Sequence, residues 1–417
     1  MITSNMEYPK VLIFGHTFND CTGMGVTLTN LFADWPSDKL CIFADNIDVT
    51  LCDKIRPCAQ YIGCLNSKQS TNVNRRPYNS KKSKLKSLLR KLGLHELLVS
   101  WRYNKQAYAE ARDFKPDIVF CALGSFAAMM KCQILLKEIG CAKLVLYIVD
   151  DWVNTRCRER YFSFIWNKLY DRTFRYLINK ASGLLSICDY MSSEYLKLYG
   201  KKFYPFHNPV DIKKYNAIQA EPKYDSLTTS IVYLGKINDD TRPCLKDLQC
   251  VIHQLNEEGF KYVFDVYTPD HVLNKDLFQN DPNSNIFPPI PHDKVLRTIK
   301  SYSSLFLPLG FSKTTRNYVR LSMPTKLSEY LGSGKPIVLY CPPDIALSMY
   351  LQSKQAAFIC NQNDAKELRE KLLMLRSAKA CSEVTENCSK LVLEHDITCV
   401  RRRFENTIKG FLYESYK

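Results

Sequence analysis

The 417-residue sequence predicts an α/β protein with two Rossmann-like, doubly wound domains that face each other across a cleft. Short β-rich runs alternate with segments long enough for helices, a pattern typical of parallel sheets with helices on both faces. The pattern restarts about halfway along the chain, and the length suits two domains. Because ligands bind outside the carboxyl ends of parallel strands, two such sheets in tandem predict a ligand-binding cleft.

The first predicted domain covers residues 1–210. Helical patterns at Val26–Phe32, Ser125–Ile139 and Tyr161–Lys180 separate its strands. The predicted strands are short apolar or β-rich runs: Lys10–Gly15, Cys41–Ala44, Asp117–Ala122, Lys143–Val149 and Gly183–Ile187.

The second predicted domain covers residues 228–395 and follows polar stretches at 205–210 and 220–229 that are typical of a linker. It has a helical pattern at Cys244–Glu258. Its predicted strands are Ser230–Leu234, Tyr262–Tyr267, Ser304–Leu307, Pro336–Leu339 and Ala357–Cys360. The end of the chain, residues 396–417, predicts a helix with few neighbours in its own domain, which we expect to pack back on the N-terminal domain.

Composition argues against several classes of protein. No apolar run reaches the roughly 18 residues of a membrane span, and the first residues lack the apolar core of a signal peptide. The 17 cysteines are scattered from Cys21 to Cys399 without a CxxC pair, so we expect reduced thiols in a cytoplasmic protein. There is no HExxH motif and no zinc-ligand spacing, and we expect no metal site.

Positive charge is concentrated in a basic segment, residues 68–105. It contains eleven Lys and Arg residues against the single acid Glu96, and so supplies +10 of the net charge of +16. A patch of this kind binds phosphate groups, either of nucleic acid or of an anionic membrane surface.

Within this segment, Lys81–Leu98 predicts an amphipathic helix. Leu85, Leu88, Leu89 and Leu92 fall on one face, and lysines and arginines fall on the other, as in helices that lie on anionic lipid. A basic loop that only adds solubility is the alternative, and nucleic-acid binding is a third interpretation, although no nucleic-acid-binding module is visible. We expect peripheral binding to the inner face of the membrane and no nucleic-acid partner.

The most informative motif is SMPTKLSEYLGSGKPIV, at Ser322–Val338. Ser322 is a candidate N-cap, Pro324 suits the start of a helix, and Lys326 then falls in the first turn. A helix N-terminus with a nearby cation suits a diphosphate, and Glu329 could accept hydrogen bonds from ribose hydroxyls. The alternative interpretation is a well-capped surface helix with a solvated Glu–Lys pair.

The motif resembles the donor-nucleotide helix of GT-B glycosyltransferases, in particular family 4 (glycosyl transferases group 1) of the bacterial surface-polysaccharide type. Gly235–Lys236 after the first strand of the second domain, and Arg242 six residues beyond Lys236, resemble the two cations of these enzymes with their types exchanged. Residues 208–211, NPVD, resemble the family's N-G-V-D turn. The resemblance covers nearly the whole chain.

The resemblance implies a donor-diphosphate site formed by Lys236, Arg242, Ser322 and Lys326, and a ribose site at Glu329. It also implies transfer with retention of anomeric configuration, and no required metal or cofactor. One departure concerns the donor sugar: many members have a second glutamate eight residues before the ribose-binding one, where this chain has Leu321. Residues 312–314, Ser-Lys-Thr, are candidates to fill that space.

Gly23 and Gly25 follow the first strand and precede a helix, so they predict an acceptor or phosphate loop, where the backbone can approach a ligand closely. A dinucleotide-binding fingerprint would require a third glycine at Leu28. Asp45 does stand twenty residues after Gly25, so a dinucleotide site is weakened but remains open.

Asp150 and Asp151 follow the apolar strand KLVLYIV, and carboxylates there lie at the mouth of a ligand crevice. Adjacent acids raise the pKa of at least one of them, which suits a proton acceptor. In the related enzymes, a His or Asp lies near the acceptor hydroxyl at this place. Alternatively, one of the two caps the next helix.

The sequence therefore predicts a glycosyltransferase that moves a hexosyl or related sugar from a nucleoside-diphosphate sugar to a saccharide or lipid-linked saccharide, in polysaccharide or glycoconjugate synthesis. A sugar-nucleotide epimerase of the same fold and a non-catalytic basic binding protein are the alternatives.

Overall fold

A computed structural model describes residues 7–45, 47–63, 88–100, 104–140, 142–155, 160–278 and 281–413. The chain divides into two compact units. The first is formed by residues up to His207 together with those from Arg401 onward, and the second by Asn208–Val400. Each unit is built around its own sheet, so the predicted α/β class with two Rossmann-like sheets is confirmed.

The first unit has a parallel seven-stranded sheet in the order β3-β2-β1-β4-β5-β6-β7. Its strands are β1 Val11–Phe14, β2 Leu40–Ala44, β3 Gln60–Gly63, β4 Ile118–Ala122, β5 Lys143–Ile148, β6 Ala181–Ser186 and β7 Tyr204–Pro205. Its helices are α1 Gly23–Leu31, α2 Val49–Ile55, α3 Leu94–Ser100, α4 Lys105–Asp113, α5 Phe126–Ile139, α6 Trp152–Thr155, α7 Ser163–Lys180 and α8 Asp189–Tyr199.

The central strands of this sheet are buried on both faces. All four residues of β1 and all five of β4 are buried, as expected when helices cover both sides of a parallel sheet. This explains why these strands appear in the sequence as continuous apolar runs.

The second unit has a parallel six-stranded sheet in the order β10-β9-β8-β11-β12-β13. Its strands are β8 Thr229–Leu234, β9 Tyr262–Tyr267, β10 Ser284–Phe287, β11 Ser304–Pro308, β12 Ile337–Tyr340 and β13 Phe358–Cys360. Its helices are α9 Ile212–Ala217, α10 Thr241–Glu257, α11 His292–Lys300, α12 Lys313–Val319, α13 Lys326–Gly332, α14 Ala346–Ser353, α15 Ala365–Met374 and α16 Ala378–Leu391.

The last helix, α17, spans Ile397–Tyr413, and its residues from Arg401 onward group with the first unit. Phe404 is fully buried, and its ring lies 5.0 Å from that of Phe32 and 5.3 Å from that of Phe206. A Cβ on Gly183, in β6, would come within 2.2 Å of the Phe411 ring. This part of the helix therefore completes the apolar packing beside the first sheet.

Three strands differ from the sequence prediction. Edge strands Gln60–Gly63 and Ser284–Phe287 were not predicted, and Tyr204–Pro205 overlaps the predicted linker. All three are short and lie at the edge of a sheet, β3 and β7 in the first sheet and β10 in the second. Edge strands are paired on one side only, which weakens the apolar pattern that reveals central strands.

The predicted helix Lys81–Leu98 is wrong as a single helix. Residues 81–87, with Leu85, lie outside the described residues, and the helix that includes 88–91 ends before α3 begins at Leu94. Gly93 separates them with a φ of +75°, and a Cβ there would come within 2.2 Å of the Trp166 ring. The chain turns at Gly93 because only glycine suits both the backbone angle and the packing.

Within the described ranges, no helix is long and apolar enough to cross a membrane. The same ranges contain no group of three or more His, Cys, Asp or Glu side chains placed to hold a metal ion.

Candidate functional site

The strand order of the second sheet reverses between β8 and β11, which lie side by side with Ile231 opposite Ser304. The connections after these two strands leave the sheet in opposite directions. In doubly wound sheets, ligands bind in the crevice that this divergence opens at the carboxyl ends of the strands. The loop after β8 and the loop after β11 therefore border the expected ligand crevice.

The two loops are bonded to each other through Asp240. Its carboxylate accepts hydrogen bonds from the hydroxyl of Ser312, at 3.2 Å, and from that of Thr315. Gly310 packs so closely that a Cβ there would lie 2.7 Å from the Asp240 carbonyl oxygen. The candidate sugar-site residue Ser312 is thus already used to cap α12 and to fix the loop.

Lys326, the first residue of α13, reaches back to the end of β8. Its Nζ donates to the carbonyl oxygen of Leu234, at 2.8 Å, and lies 4.5 Å from the centroid of the Tyr233 ring. Burial lowers the pKa of this ammonium group to about 8, although the Glu329 carboxylate opposes the shift. Taking a cation out of water is costly, and cations whose pKa is lowered in this way are typical of functional sites.

Gly235 makes room for this cation. Its φ is +155°, and a Cβ at this position would lie 2.7 Å from the Lys326 Nζ and 2.8 Å from the Tyr233 hydroxyl oxygen. The Gly-Lys pair singled out in the sequence therefore has a direct physical reason for its glycine.

Lys236 and Arg242 are both exposed, near the end of β8 and in the first turn of α10. The guanidinium of Arg242 donates to Oδ1 of Asn274, at 2.5 Å, and Asn274 in turn donates to the Asp270 carbonyl oxygen at 2.9 Å. Thr241 lies between the two cations along the chain, and its hydroxyl donates to the carbonyl oxygen of Lys236 at 3.4 Å. The side chain of Arg242 is therefore held by a hydrogen bond, whereas at Lys236 the bond from Thr241 holds only the backbone.

Glu329 lies in α13, three residues after Lys326, with only 16% of its side chain exposed. Its Oε1 is 3.5 Å from Nε2 of His292, the first residue of α11. The pKa of the partly buried Tyr215 hydroxyl is raised, mainly by loss of hydration and also by the Glu329 charge. The carboxylate is therefore a partly enclosed acceptor with a histidine beside it, and not the solvated surface residue of the alternative interpretation.

The prediction that Ser322 caps the motif helix is wrong. The helix begins at Lys326 after Thr325, whose side chain makes no capping bond, and the amide of Leu327 bonds to the carbonyl oxygen of Pro324 at 3.0 Å. Ser322 instead belongs to the turn that follows α12, with its amide on the Val319 carbonyl oxygen at 2.9 Å. The turn at 322–325 delays the helix by one turn.

Leu321, at the place of the family's second glutamate, is buried. Its neighbour Arg320 accepts a backbone bond from Ala346 at 2.7 Å, which ties the segment to α14. An apolar residue enclosed in this way cannot supply the carboxylate that relatives place near the donor sugar.

In the first unit, the two acids after β5 have different environments. Asp151 is buried, accepts a hydrogen bond from the Tyr195 hydroxyl at 2.9 Å and immediately precedes α6. Its backbone carbonyl also accepts from Thr155 at 2.7 Å. Asp150 is partly exposed. Asp151 is thus committed to the fold, and Asp150 is the better candidate for chemistry.

Gly23 and Gly25 stand at the start of α1, where Thr22 caps the amide of Gly25 at 3.1 Å. A Cβ on Gly25 would come within 2.2 Å of the Asn19 side chain. Asn19 in turn accepts from the amide of Thr22 at 2.8 Å. Packing inside the loop accounts for Gly25 without a ligand, whereas Gly23 is exposed.

Asp45, the residue that kept a dinucleotide site open, is engaged by Lys131. The two Nζ–O distances are 2.7 and 2.9 Å, and Lys131 is buried. This ion pair gives Asp45 a structural partner, which weakens the dinucleotide interpretation further.

Sequence reasoning missed His292 and His16. His16 follows β1 at the switch point of the first sheet, where β1 and β4 are adjacent, and burial lowers its pKa although it bonds to the backbone of Ala122. Its position two residues after a buried strand was the available signal. No signal in the sequence pointed to His292, because it lies near Glu329 only through a contact between residues 37 positions apart in the chain.

Comparison with solved structures places these features in a known fold. The chain superposes on HepE of Anabaena in complex with UDP-glucose with a TM-score of 0.65 and 11% identity, over 96% of this chain and 99% of that one. A glycosyltransferase from Rickettsia africae gives 0.61 and 10%, over 98% and 100%. The lipopolysaccharide outer core galactosyltransferase WaaB gives 0.56 and 13%, over 96% and 99%.

No protein-family model matches the sequence, and no curated protein matches it significantly. The structural similarity nevertheless extends along almost the whole chain, so the predicted GT-B fold of glycosyltransferases is confirmed.

Proposed function

We propose that this protein is a glycosyltransferase that uses a nucleoside-diphosphate sugar as donor. The observation that carries the proposal is the pairing, on one short helix, of the partly buried Lys326 ammonium and the partly enclosed Glu329 carboxylate beside the switch point of the second sheet. The related structure HepE was solved with UDP-glucose, and the fold is shared.

In the proposed donor site, Lys326, Lys236 and Arg242 contact the diphosphate, and Glu329 accepts hydrogen bonds from the ribose hydroxyls. A carboxylate suits two adjacent hydroxyls because it offers two acceptor oxygens and no donor. His292, 3.5 Å from Glu329, orients this carboxylate. Ser322 lies in the turn before α13, so any contact that it makes with the diphosphate comes from this turn and not from the N-terminus of the helix.

The cations act most strongly on the transition state. As the bond to the sugar breaks, negative charge grows on the leaving diphosphate, and fixed cations in a partly buried site stabilise that charge without reorganising. No metal is needed for this role if Lys326, Lys236 and Arg242 supply the positive charge. Retention of anomeric configuration follows from the family resemblance.

On the acceptor side, we propose that Asp150 and His16 contact the acceptor hydroxyl. Both follow central strands of the first sheet, β5 and β1, at its carboxyl edge. Burial lowers the pKa of His16, so the ring is neutral at pH 7 and able to accept a proton. Asp151 supports this region by holding Tyr195.

The acceptor is a saccharide, which we place on a lipid carrier at the cytoplasmic face of a membrane, in polysaccharide or glycoconjugate synthesis. The support is the basic segment 68–105, whose charge would attract the protein to anionic lipid. Of this segment, only residues 88–100 and 104–105 lie within the described ranges.

A thermal-shift panel of nucleoside diphosphates tests the donor site. A ligand that binds only the folded protein stabilises it by about 2.7 kcal/mol at a hundredfold excess over its Kd, so one base should raise the melting temperature above the others. Failure of every nucleoside diphosphate to stabilise the protein would contradict the proposal. An epimerase would also bind the nucleotide, but would convert the sugar without transferring it.

A further inference from the structure

The outer face of α7 is apolar in its first turns. Phe164 is 72% exposed and Ile165 is 51% exposed, while Trp166 and Tyr170 on the inner face are buried. A helix that covers a core normally presents polar residues to solvent. Two apolar faces on one helix indicate that the outer face also has a partner.

A second segment with exposed leucines lies against this helix. The amide of Tyr161 bonds to the carbonyl oxygen of Lys91 at 2.9 Å, and the Trp166 ring nitrogen bonds to that of Leu92 at 3.1 Å. The exposed apolar side chains of the two segments form what we call the apolar patch: Leu88, Leu94, Leu98, Tyr161, Phe162, Phe164, Ile165 and Leu169.

The patch is held by a defined polar network. Glu96 accepts from the Phe126 amide at 2.9 Å, from the Tyr170 hydroxyl at 2.7 Å and from Arg160 at 2.5 Å. Arg160 also stacks over the Trp166 ring, 5.1 Å from its centroid. These bonds fix the segment that contains α3 against α7, so the exposed side chains belong to ordered structure.

The charge around the patch is positive. Residues 88–100 and 160–176 contain six Lys and Arg residues and two carboxylates. Both carboxylates are paired with cations, Glu96 with Arg160 at 2.5 Å and Asp171 with Arg175 at 2.8 Å. Exposed cations therefore border exposed aromatic and aliphatic side chains, among them Lys168 beside Phe164 and Ile165.

We propose that the apolar patch inserts into the headgroup region of an anionic bilayer. Phenylalanine, isoleucine and leucine would enter the acyl boundary, while the lysines and arginines around them contact lipid phosphates. The occupant is a bilayer and not a second copy of this chain, because a symmetric contact would bring the same cations together. The inference deepens the membrane part of the proposed function by naming the side chains that enter the lipid.

Sedimentation with vesicles tests the inference. The probes are phosphatidylcholine vesicles with and without about 30% phosphatidylglycerol, at about 0.1 M and 1 M salt. The variant Phe164→Ser/Ile165→Ser should bind at least about tenfold more weakly than the wild type at both salt concentrations, because it loses apolar insertion. The variant Lys168→Glu/Arg172→Glu should lose mainly the salt-sensitive part of binding.

The matched control is Leu227→Ser/Leu393→Ser, two leucines of the second unit that are 69% and 61% exposed. This control removes similar exposed apolar area and should bind vesicles like the wild type. Insertion has a separate readout: relative to the wild type with its four tryptophans, Phe164→Trp should add fluorescence that brominated lipid quenches, and Leu393→Trp should add fluorescence that it does not quench.

Equal vesicle binding by Phe164→Ser/Ile165→Ser and the wild type would overturn the inference. So would a concentration-dependent dimer in sedimentation velocity that this variant abolishes, with no vesicle binding by the wild type. A thermal shift by nucleoside diphosphate, measured on the same samples, keeps the two proposals distinct. Vesicle binding without nucleotide binding would leave the patch intact and contradict the proposed function.

Discussion

The Nζ of Lys326 lies 2.8 Å from the carbonyl oxygen of Leu234, so the first residue of α13 is held against the last residue of β8. This bond joins the motif helix to the strand that borders the switch point of the second sheet. It also places a cation with a lowered pKa where a diphosphate would bind. The predictions below follow from this relationship and its surroundings.

Nucleoside-diphosphate affinity should fall as the pH rises above 8. Burial lowers the pKa of Lys326 to about 8, so above that pH the protein must take up a proton to present the ammonium group. The expected loss is about tenfold per pH unit. Isothermal titration between pH 7 and 9 measures it. In Lys326→Met, affinity should be lower at pH 7 and the slope should vanish; a persisting slope would assign it to another group.

Without ligand, the contribution of Lys326 to the free energy of unfolding should instead increase as the pH rises above 8. The unfolded chain keeps its lysine proton up to about pH 10.5, whereas folded Lys326 loses it near pH 8. Between these values the unfolded state binds more protons, so this group's contribution to the unfolding free energy rises with pH. Urea denaturation of the wild type and of Lys326→Met at pH 7 and 9 should show a smaller pH-dependent gain in the variant.

Glu329→Ala should weaken nucleotide binding with little effect on folding. Two ribose hydroxyls would lose a charged acceptor worth about 1.5–3 kcal/mol, which corresponds to roughly ten- to hundredfold in Kd. Glu370→Ala, at an exposed position of α15, is the matched control. If Kd changes equally in the two variants, or in neither, Glu329 does not bind the ribose.

Gly235→Ala should impair nucleotide binding beyond the cost of its backbone angle. A Cβ there would lie 2.7 Å from the Lys326 Nζ and would displace the cation. Gly259→Ala is the control, since that glycine has a φ of +92° and open space around its Cα. Both variants should lose stability, but only Gly235→Ala should raise the Kd; equal Kd values would mean that Lys326 tolerates the displacement.

Alanine variants of the two acids after β5 should have different effects: one should lower stability and the other should lower sugar transfer. Asp151→Ala leaves the Tyr195 hydroxyl without its 2.9 Å acceptor and should cost about 1–3 kcal/mol of unfolding free energy. Asp150→Ala should leave the unfolding free energy within about 0.5 kcal/mol of the wild type while lowering transfer. Denaturation and sugar-transfer assays of both variants test this; a normal rate in Asp150→Ala removes it from the acceptor site.

Much of the fold was predictable because central parallel strands are continuous apolar runs. Val11–Phe14 and Ile118–Ala122 are buried throughout, and both runs are evident in the sequence. The edge strands Gln60–Gly63 and Ser284–Phe287 were not, because one-sided pairing leaves a short and mixed pattern. Gly93 broke a predicted helix because its conformation is fixed by packing on Trp166, a distant residue.

The candidate site shows the same division. Lys326 and Glu329 were found because both belong to one local motif, in which residue types and spacing carry the signal. The bond from Ser312 to Asp240 and the position of His292 beside Glu329 depend on loops that only the folded sheet brings together. Ser322 was assigned to the helix because local capping preferences cannot show that the chain first turns at 322–325.

Sugar transfer itself is the most direct test of the central claim. The protein would be incubated with radiolabelled nucleotide-sugars, with and without a membrane lipid extract, and the label in the nucleotide and lipid-linked saccharide fractions would be counted. We predict that one donor releases its nucleoside diphosphate and passes label to the lipid fraction, and that Glu329→Ala and Lys326→Met reduce both. Label that stays on the nucleotide, with the sugar unchanged or epimerised in every mixture, would contradict the proposed glycosyltransferase.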